Sequence, residues 1–214
     1  PELFAQFPLL EAALDAAGFV VFSMKEHEAD DAMGAAAVKA ATDPRVTRVL
    51  ICTPDKDLAQ VVNDQSGIVQ FDRRKEVIYD EEGVREKFGV SPESIPDYLA
   101  LVGDTADGIP GLLGWGAKSS STMLAHYKHL ENIPTNDEEW EVVPRGASKL
   151  SSTFTSQFEE ALLYRQLATL DLSAPVMENV DELFWTGPKS HFLDICEHLD
   201  AQKVFEKADA LANT

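Results

Sequence analysis

Two short apolar runs, Phe19-Val20-Val21-Phe22 and Arg48-Val49-Leu50-Ile51-Cys52-Thr53, constrain this fold more than any other feature. Each is rich in β-branched or aromatic residues and too short for a helix, so each is expected as a buried strand. Helical periodicity surrounds them. Phe7, Leu10, Leu14 and Ala17 recur at helical spacing and stop at Gly18, a residue suited to the position after a helix. A second helix is expected from about Asp30 to Ala41 and a short one from Asp57 to Val62. Ile68 to Phe71 and Glu76 to Tyr79, on either side of Asp-Arg-Arg-Lys, predict a hairpin. Helix, strand, helix, strand at these intervals reads as an α/β layered sheet.

From Val84 the strands stop, and helices are expected at Val84 to Phe88, Ile95 to Val102, Ser119 to His129, Phe154 to Leu170, Phe192 to Leu199 and Val204 to Leu211. The acidic, Pro-interrupted stretch Glu131 to Ser152 reads as a surface loop. The expected division is an α/β part over 1–90 and a helical part over 91–214. A chain of 214 residues can bury a real core, and 44% hydrophobic with 26% charged residues excludes disorder and a membrane bundle. No apolar run is long enough to cross a bilayer and no export signal is visible, which predicts a cytoplasmic protein with no membrane partner. Two cysteines exclude a disulfide scaffold and a Cys-rich zinc site; Cys52 and Cys196 are expected as small buried hydrophobes. The net charge of −19 argues on its face against a polyanionic partner. Carboxylates that converge on bound cations would remove that objection.

The carboxylates do cluster. Glu28, Asp30 and Asp31 stand between the first apolar run and the next helix, Asp55 and Asp57 directly follow the second run, and Asp104 and Asp107 follow an apolar helix. In an open α/β sheet the carboxyl ends of strands face one crevice, so the first two clusters should meet across it. Each has a plainer reading: Asp30 as an N-cap, Asp55 and Asp57 as turn residues, Asp104 and Asp107 as Asx turns beside Gly103 and Gly108. Three such clusters on one rim repel one another strongly unless paired, and few basic residues lie nearby in sequence. Hard divalent cations resolve this. An all-oxygen ligand set suits Mg²⁺ or Mn²⁺, and two such ions can activate water and stabilise a leaving oxygen in phosphodiester hydrolysis.

Ile109-Pro110-Gly111-Leu112-Leu113-Gly114-Trp115-Gly116-Ala117-Lys118-Ser119 lies between two apolar helices. Gly111, Gly114 and Gly116 permit positive φ and close backbone approach. Free N–H groups at the next helix start, with Lys118 and Ser119, would seat a DNA phosphate as in a helix–hairpin–helix. Trp115 is expected in the core.

In order and spacing, Glu28-Ala29-Asp30-Asp31, Cys52-Thr53-Pro54-Asp55-Lys56-Asp57-Leu58, Ile95 through Gly111, and Leu163-Tyr164-Arg165-Gln166-Leu167-Ala168-Thr169-Leu170 resemble the 5′→3′ exonuclease domain of bacterial DNA polymerase I and its flap-endonuclease relatives. The resemblance implies a PIN-like parallel-sheet nuclease core followed by a helical helix–three-turn–helix region that binds DNA. It assigns Glu28, Asp30, Asp31, Asp55 and Asp57 to the tighter metal, Asp104 and Asp107 to the second, and Gly111, Gly114, Gly116, Lys118 and Ser119 to the duplex backbone, with K⁺ at the hairpin carbonyls. It implies a metal-dependent 5′→3′ exonuclease or flap endonuclease of replication and repair, acting on 5′ flaps, nicks and free 5′ ends. Members of the family begin with a strand bearing one ligand Asp, then a second Asp and a basic arch. Pro1 aligns inside or just after that arch, so these parts are expected from a longer protein or from another chain, leaving an open sheet edge here, and a polymerase is a possible companion. Two other readings stay open: a non-catalytic DNA-binding fragment or subunit, and a receiver-like phosphoacceptor domain, which would not need Asp104, Asp107 or the glycine hairpin.

Overall fold

The computed structural model describes residues 3–214; Pro1 and Glu2, where the expected first part begins, lie outside them. In chain order the helices and strands are α1 (Phe7–Ala16), α2 (Ala29–Ala41), β1 (Val49–Ile51), β2 (Ile68–Asp72), β3 (Val77–Tyr79), α3 (Glu81–Phe88), α4 (Ile95–Val102), α5 (Ala117–Tyr127), α6 (Ala147–Ser156), α7 (Phe158–Ala168), α8 (Phe192–His198) and α9 (Gln202–Ala212). They form two compact units, one running through Glu28 and resuming over Pro175–Thr214, the other being Ala29–Ala174. Among the described residues no helix is long and apolar enough to cross a membrane.

The larger unit holds a three-stranded mixed sheet of order β1-β2-β3. β1 and β2 are parallel, with Ile51 opposite Gln70, whereas β2 and β3 form the expected antiparallel hairpin, with Gln70 opposite Tyr79. α2 lies against β1 and β2, where Ala37 packs with Ile51 and Ile68, while Gly34 on the same helix faces Leu170 and Leu172. A short 3-10 helix, Asp57–Val61, buries Leu58 in the same apolar cluster as Ala37, Ile51 and Ile68. A second and larger core gathers the helical part: Ile95, Leu99 and Leu101 of α4 meet Met123, Leu124, Leu130 and Phe154. The termini of α3 follow from its sequence. Asp80 accepts from the Gly83 N–H at 2.8 Å, and Gly89 takes the left-handed conformation that closes the helix.

In the smaller unit, α1 packs on α8, burying Ala16, Ala17, Phe192 and Cys196. Phe19-Val20-Val21-Phe22, expected as a strand, is not one. The Phe19 N–H closes the end of α1 on the Leu14 carbonyl at 3.1 Å, next to Gly18 at φ 89°, and Phe19 stacks on Trp185. With no strand pairing to it among the described residues, the run stays irregular, and Phe19 and Val20 are half exposed.

Other expectations need correction too. Glu131 to Ser152 is not merely a surface loop, because Ile133, Trp140 and Leu150 enter the larger core from it. The helix expected from Phe154 to Leu170 breaks at Gln157. No proline or glycine is there; hydroxyls near the break bond to main-chain oxygens instead, Ser156 to Thr153 and Thr155 to Thr135, both at 3.0 Å. Cys52 is exposed where burial was expected, since it lies just beyond β1, an edge strand; Cys196 is buried as expected. Trp115 is in the core, 5% exposed, and donates from Nε1 to the Leu150 carbonyl at 3.2 Å.

Candidate metal centre

Asp30 sits in the first turn of α2, and Asp55 and Asp57 flank the turn that leaves β1. One carboxylate oxygen from each of Asp30, Asp55 and Asp57 lies within 4.8 Å of the others, and the same holds for Asp57, Asp104 and Asp107. Asp57 therefore belongs to both triplets. The turn is held from within by the Asp55 N–H on Thr53 Oγ1 at 3.2 Å and the Asp57 N–H on Asp55 Oδ1 at 3.3 Å. From β2, Gln70 Nε2 donates to the Asp55 carbonyl.

Asp104 is placed by a zipped loop. It exchanges two main-chain hydrogen bonds with Ile109, both 2.8 Å, and its Oδ1 accepts from the Ala106 N–H at 3.0 Å. The return path requires glycine at 111, where φ is 69° and a Cβ would lie 2.6 Å from the main chain of Val102 and Gly103.

Burial first, and then the charges of Asp107, Asp55, Asp104 and Asp30, push the Asp57 carboxyl up from 3.8 to about 7. Its Oδ1 is buried without a hydrogen-bond partner. Asp107 is raised as well, by burial and then by Asp104 and Asp55, although Lys56 and a hydrogen bond from Asp57 oppose the rise. Lys56 Nζ pairs with Asp104, whose side chain is almost wholly enclosed. The donor set gathered around Asp57 is all oxygen, which fits a hard divalent cation.

The remaining expected residues fall elsewhere. Asp31 accepts from the Asp171 N–H at 2.8 Å and belongs to neither triplet. Glu28 is exposed and belongs to the smaller unit. Along the hairpin, Gly111 and Gly114 have the expected positive φ, but Gly116 is extended at φ −130° because it caps α5. The Gly116 N–H donates to Ser119 Oγ at 3.0 Å, and the Ser119 hydroxyl donates back to the Gly116 carbonyl at 3.0 Å. Lys118 and Gly116 are exposed, and no atom lies within 4 Å of a Cβ built at Gly116, so another chain's backbone can approach there.

Sequence reasoning missed Gln70 and the part played by Lys56. The lysine was visible between two aspartates, whereas nothing local marks a buried glutamine in a strand. It also missed a clip in the helical part. Asp97, 2% exposed, takes hydrogen bonds from Arg165 Nη1 at 3.2 Å and the Leu130 N–H at 3.2 Å and pairs with His129 Nδ1 at 2.9 Å.

Two family models match in succession: "5′-3′ exonuclease, N-terminal resolvase-like domain" over residues 1–89, and "5′-3′ exonuclease, C-terminal SAM fold" over residues 90–191. The chain belongs to the 5′-3′ exonuclease family. DNA polymerase I of Bacillus caldotenax is 32% identical over 216 residues, covering 98% of this chain and 24% of that protein. A 5′-3′ exonuclease of Aquifex aeolicus is 37% identical over 136 residues, covering 64% of this chain and 46% of the relative. This member of the exonuclease family thus spans less than half the length of either relative. The solved T5 5′-exonuclease with bound zinc superposes with a TM-score of 0.57 at 20% identity, over 87% of this chain and 60% of that one. A T5 D15 flap endonuclease solved with DNA and metal ions gives 0.54 at 20% identity, over 90% and 62%. These structures share the fold, and the expected family and α/β class are borne out.

Proposed function

We propose that this chain is the metal-binding and DNA-binding part of a 5′→3′ exonuclease or flap endonuclease that hydrolyses DNA phosphodiester bonds in replication and repair. The observation that carries this is the pair of carboxylate triplets sharing Asp57. Asp30, Asp55 and Asp57 would hold one Mg²⁺ or Mn²⁺, and Asp57, Asp104 and Asp107 a second; when bound, such ions supply the Lewis acidity that phosphodiester hydrolysis needs. Cations held there would favour the ionised form of Asp57 over the protonated one. Lys56, paired with Asp104, supplies a cation at the same edge for a phosphate oxygen.

Glu28 and Asp31 are assigned to the tighter metal by resemblance alone. The hairpin Gly111, Gly114, Gly116, Lys118 and Ser119 would seat a duplex phosphate without reading sequence, with K⁺ on its carbonyls. In this division residues 1–90 carry Asp30, Asp55 and Asp57, while 91–214 adds Asp104 and Asp107 to the metal centre and supplies the duplex-binding hairpin. The preferred partner is DNA bearing a 5′ flap, a nick or a free 5′ end, and the setting is cytoplasmic.

Cleavage of a 5′-labelled flap duplex, with Mg²⁺ or Mn²⁺, tests the reading beside Asp57→Asn and Asp104→Asn. Metal-dependent cleavage lost in both variants is expected. Duplex binding without cleavage would leave the non-catalytic DNA-binding reading in its place.

A further inference from the structure

We propose that Gln70 is a positioning residue for the carboxylate turn, setting its metal affinity from beneath; this rests on the proposed metal-binding reading. Gln70 sits in the middle of β2, the central strand, and is 1% exposed. Side chains alternate along a strand, so Ile68, Gln70 and Asp72 share one face. That face is buried throughout, yet turns from apolar to polar toward the turn that carries Asp55 and Asp57.

A buried amide is expensive unless it is hydrogen-bonded. Here Nε2 donates to the Asp55 carbonyl, while Oε1 is buried with no hydrogen-bond partner. A leucine would fill similar space without that orphan oxygen, so packing alone does not favour glutamine. What glutamine adds is a tie to the turn from outside it. The two other ties are internal, from Thr53 and Asp55, and can move with the turn as a unit. Gln70 instead anchors the Asp55 main chain to the rigid centre of the sheet. Because Asp57 serves both triplets, a looser turn weakens both.

The test is Mn²⁺ binding, read from the electron-spin resonance of the free ion, for the parent, Gln70→Leu and Gln70→Met, with urea unfolding in EDTA as the measure of fold. Residues that orient metal ligands typically change affinity by about 10–100-fold. We expect Mn²⁺ affinity to fall about tenfold in both variants, with unfolding in EDTA still cooperative and of unchanged urea dependence. Affinity equal to that of the parent in either folded variant would overturn the role of Gln70 while leaving the metal site standing. If both variants fail to fold, Gln70 is a folding residue and the proposal falls. If the parent itself binds no Mn²⁺, the metal-binding reading fails first and this one with it.

Discussion

Replacing Asp57 by asparagine removes a charge that the fold opposes, so without metal the variant should be the more stable protein. In the unfolded chain Asp57 ionises near 3.8, and in the folded chain at about 7. Between these values the folded state holds a proton that the unfolded state has released, so stability falls as pH rises through this window and the full cost is present above pH 7. The difference sets a ceiling of about 4 kcal/mol. Asp57 is only partly buried, and solvent screening brings the expected cost to about 2 kcal/mol. Urea denaturation in EDTA measures it. At pH 8 the midpoint of Asp57→Asn should exceed that of the parent by about 1 M, taking a urea dependence of about 2 kcal/mol per M. At pH 5 Asp57 is protonated in the folded parent but still ionised in the unfolded chain, so about a third or more of the cost remains, and the gain should fade only as pH drops below about 4. Added Mn²⁺ should stabilise the parent and leave the variant almost unmoved. A variant no more stable than the parent at pH 8, or a gain as large at about pH 3.5 as at pH 8, would refute the reasoning.

Three further outcomes are expected. Gly111→Ala, forced to φ 69° with its methyl 2.6 Å from main-chain atoms, should cost about 3 kcal/mol in urea denaturation, whereas Gly116→Ala should stay within about 0.5 kcal/mol and instead weaken duplex binding in a mobility-shift assay. Arg165→Met strands the buried Asp97 carboxylate and should lower stability by about 2–3 kcal/mol, seen as a lower thermal midpoint; the arginine is 28% exposed, which holds the loss below that of a fully buried pair. In the native protein a thiol reagent such as Ellman's should modify Cys52 rapidly and Cys196 only on unfolding.

Much of the architecture was legible because it is local. The 3.6-residue pattern of Ile95–Val102 marks α4, and the Asp-Arg-Arg-Lys turn between two β-rich pieces marks the hairpin. The strand expected at Phe19–Phe22 was a property of composition alone; a strand exists only where another strand accepts its hydrogen bonds, and none does among the described residues. The break at Gln157 and the burial of Trp140 escaped for a related reason. Each depends on tertiary partners, Thr135 in the one case and Trp115 in the other, far away along the chain.

The same distinction explains the metal centre. Each carboxylate was visible from its place at an element end, yet the sharing of Asp57 was not, because it needs the turn after β1 and the loop after α4 to arrive together. What brings them together is structure with no acidic signature. Gly111 lets the hairpin fold back on Gly103 and thereby sets Asp104, while Gln70 ties Asp55 to the sheet. Carboxylates that repel are held in contact by glycine geometry and a buried amide, and a chain with no cation to bind would relieve that repulsion by a single substitution at Asp57. Asp57, pushed up to about 7 by burial and by its four acidic neighbours, is the position where a bound cation would relieve the most repulsion.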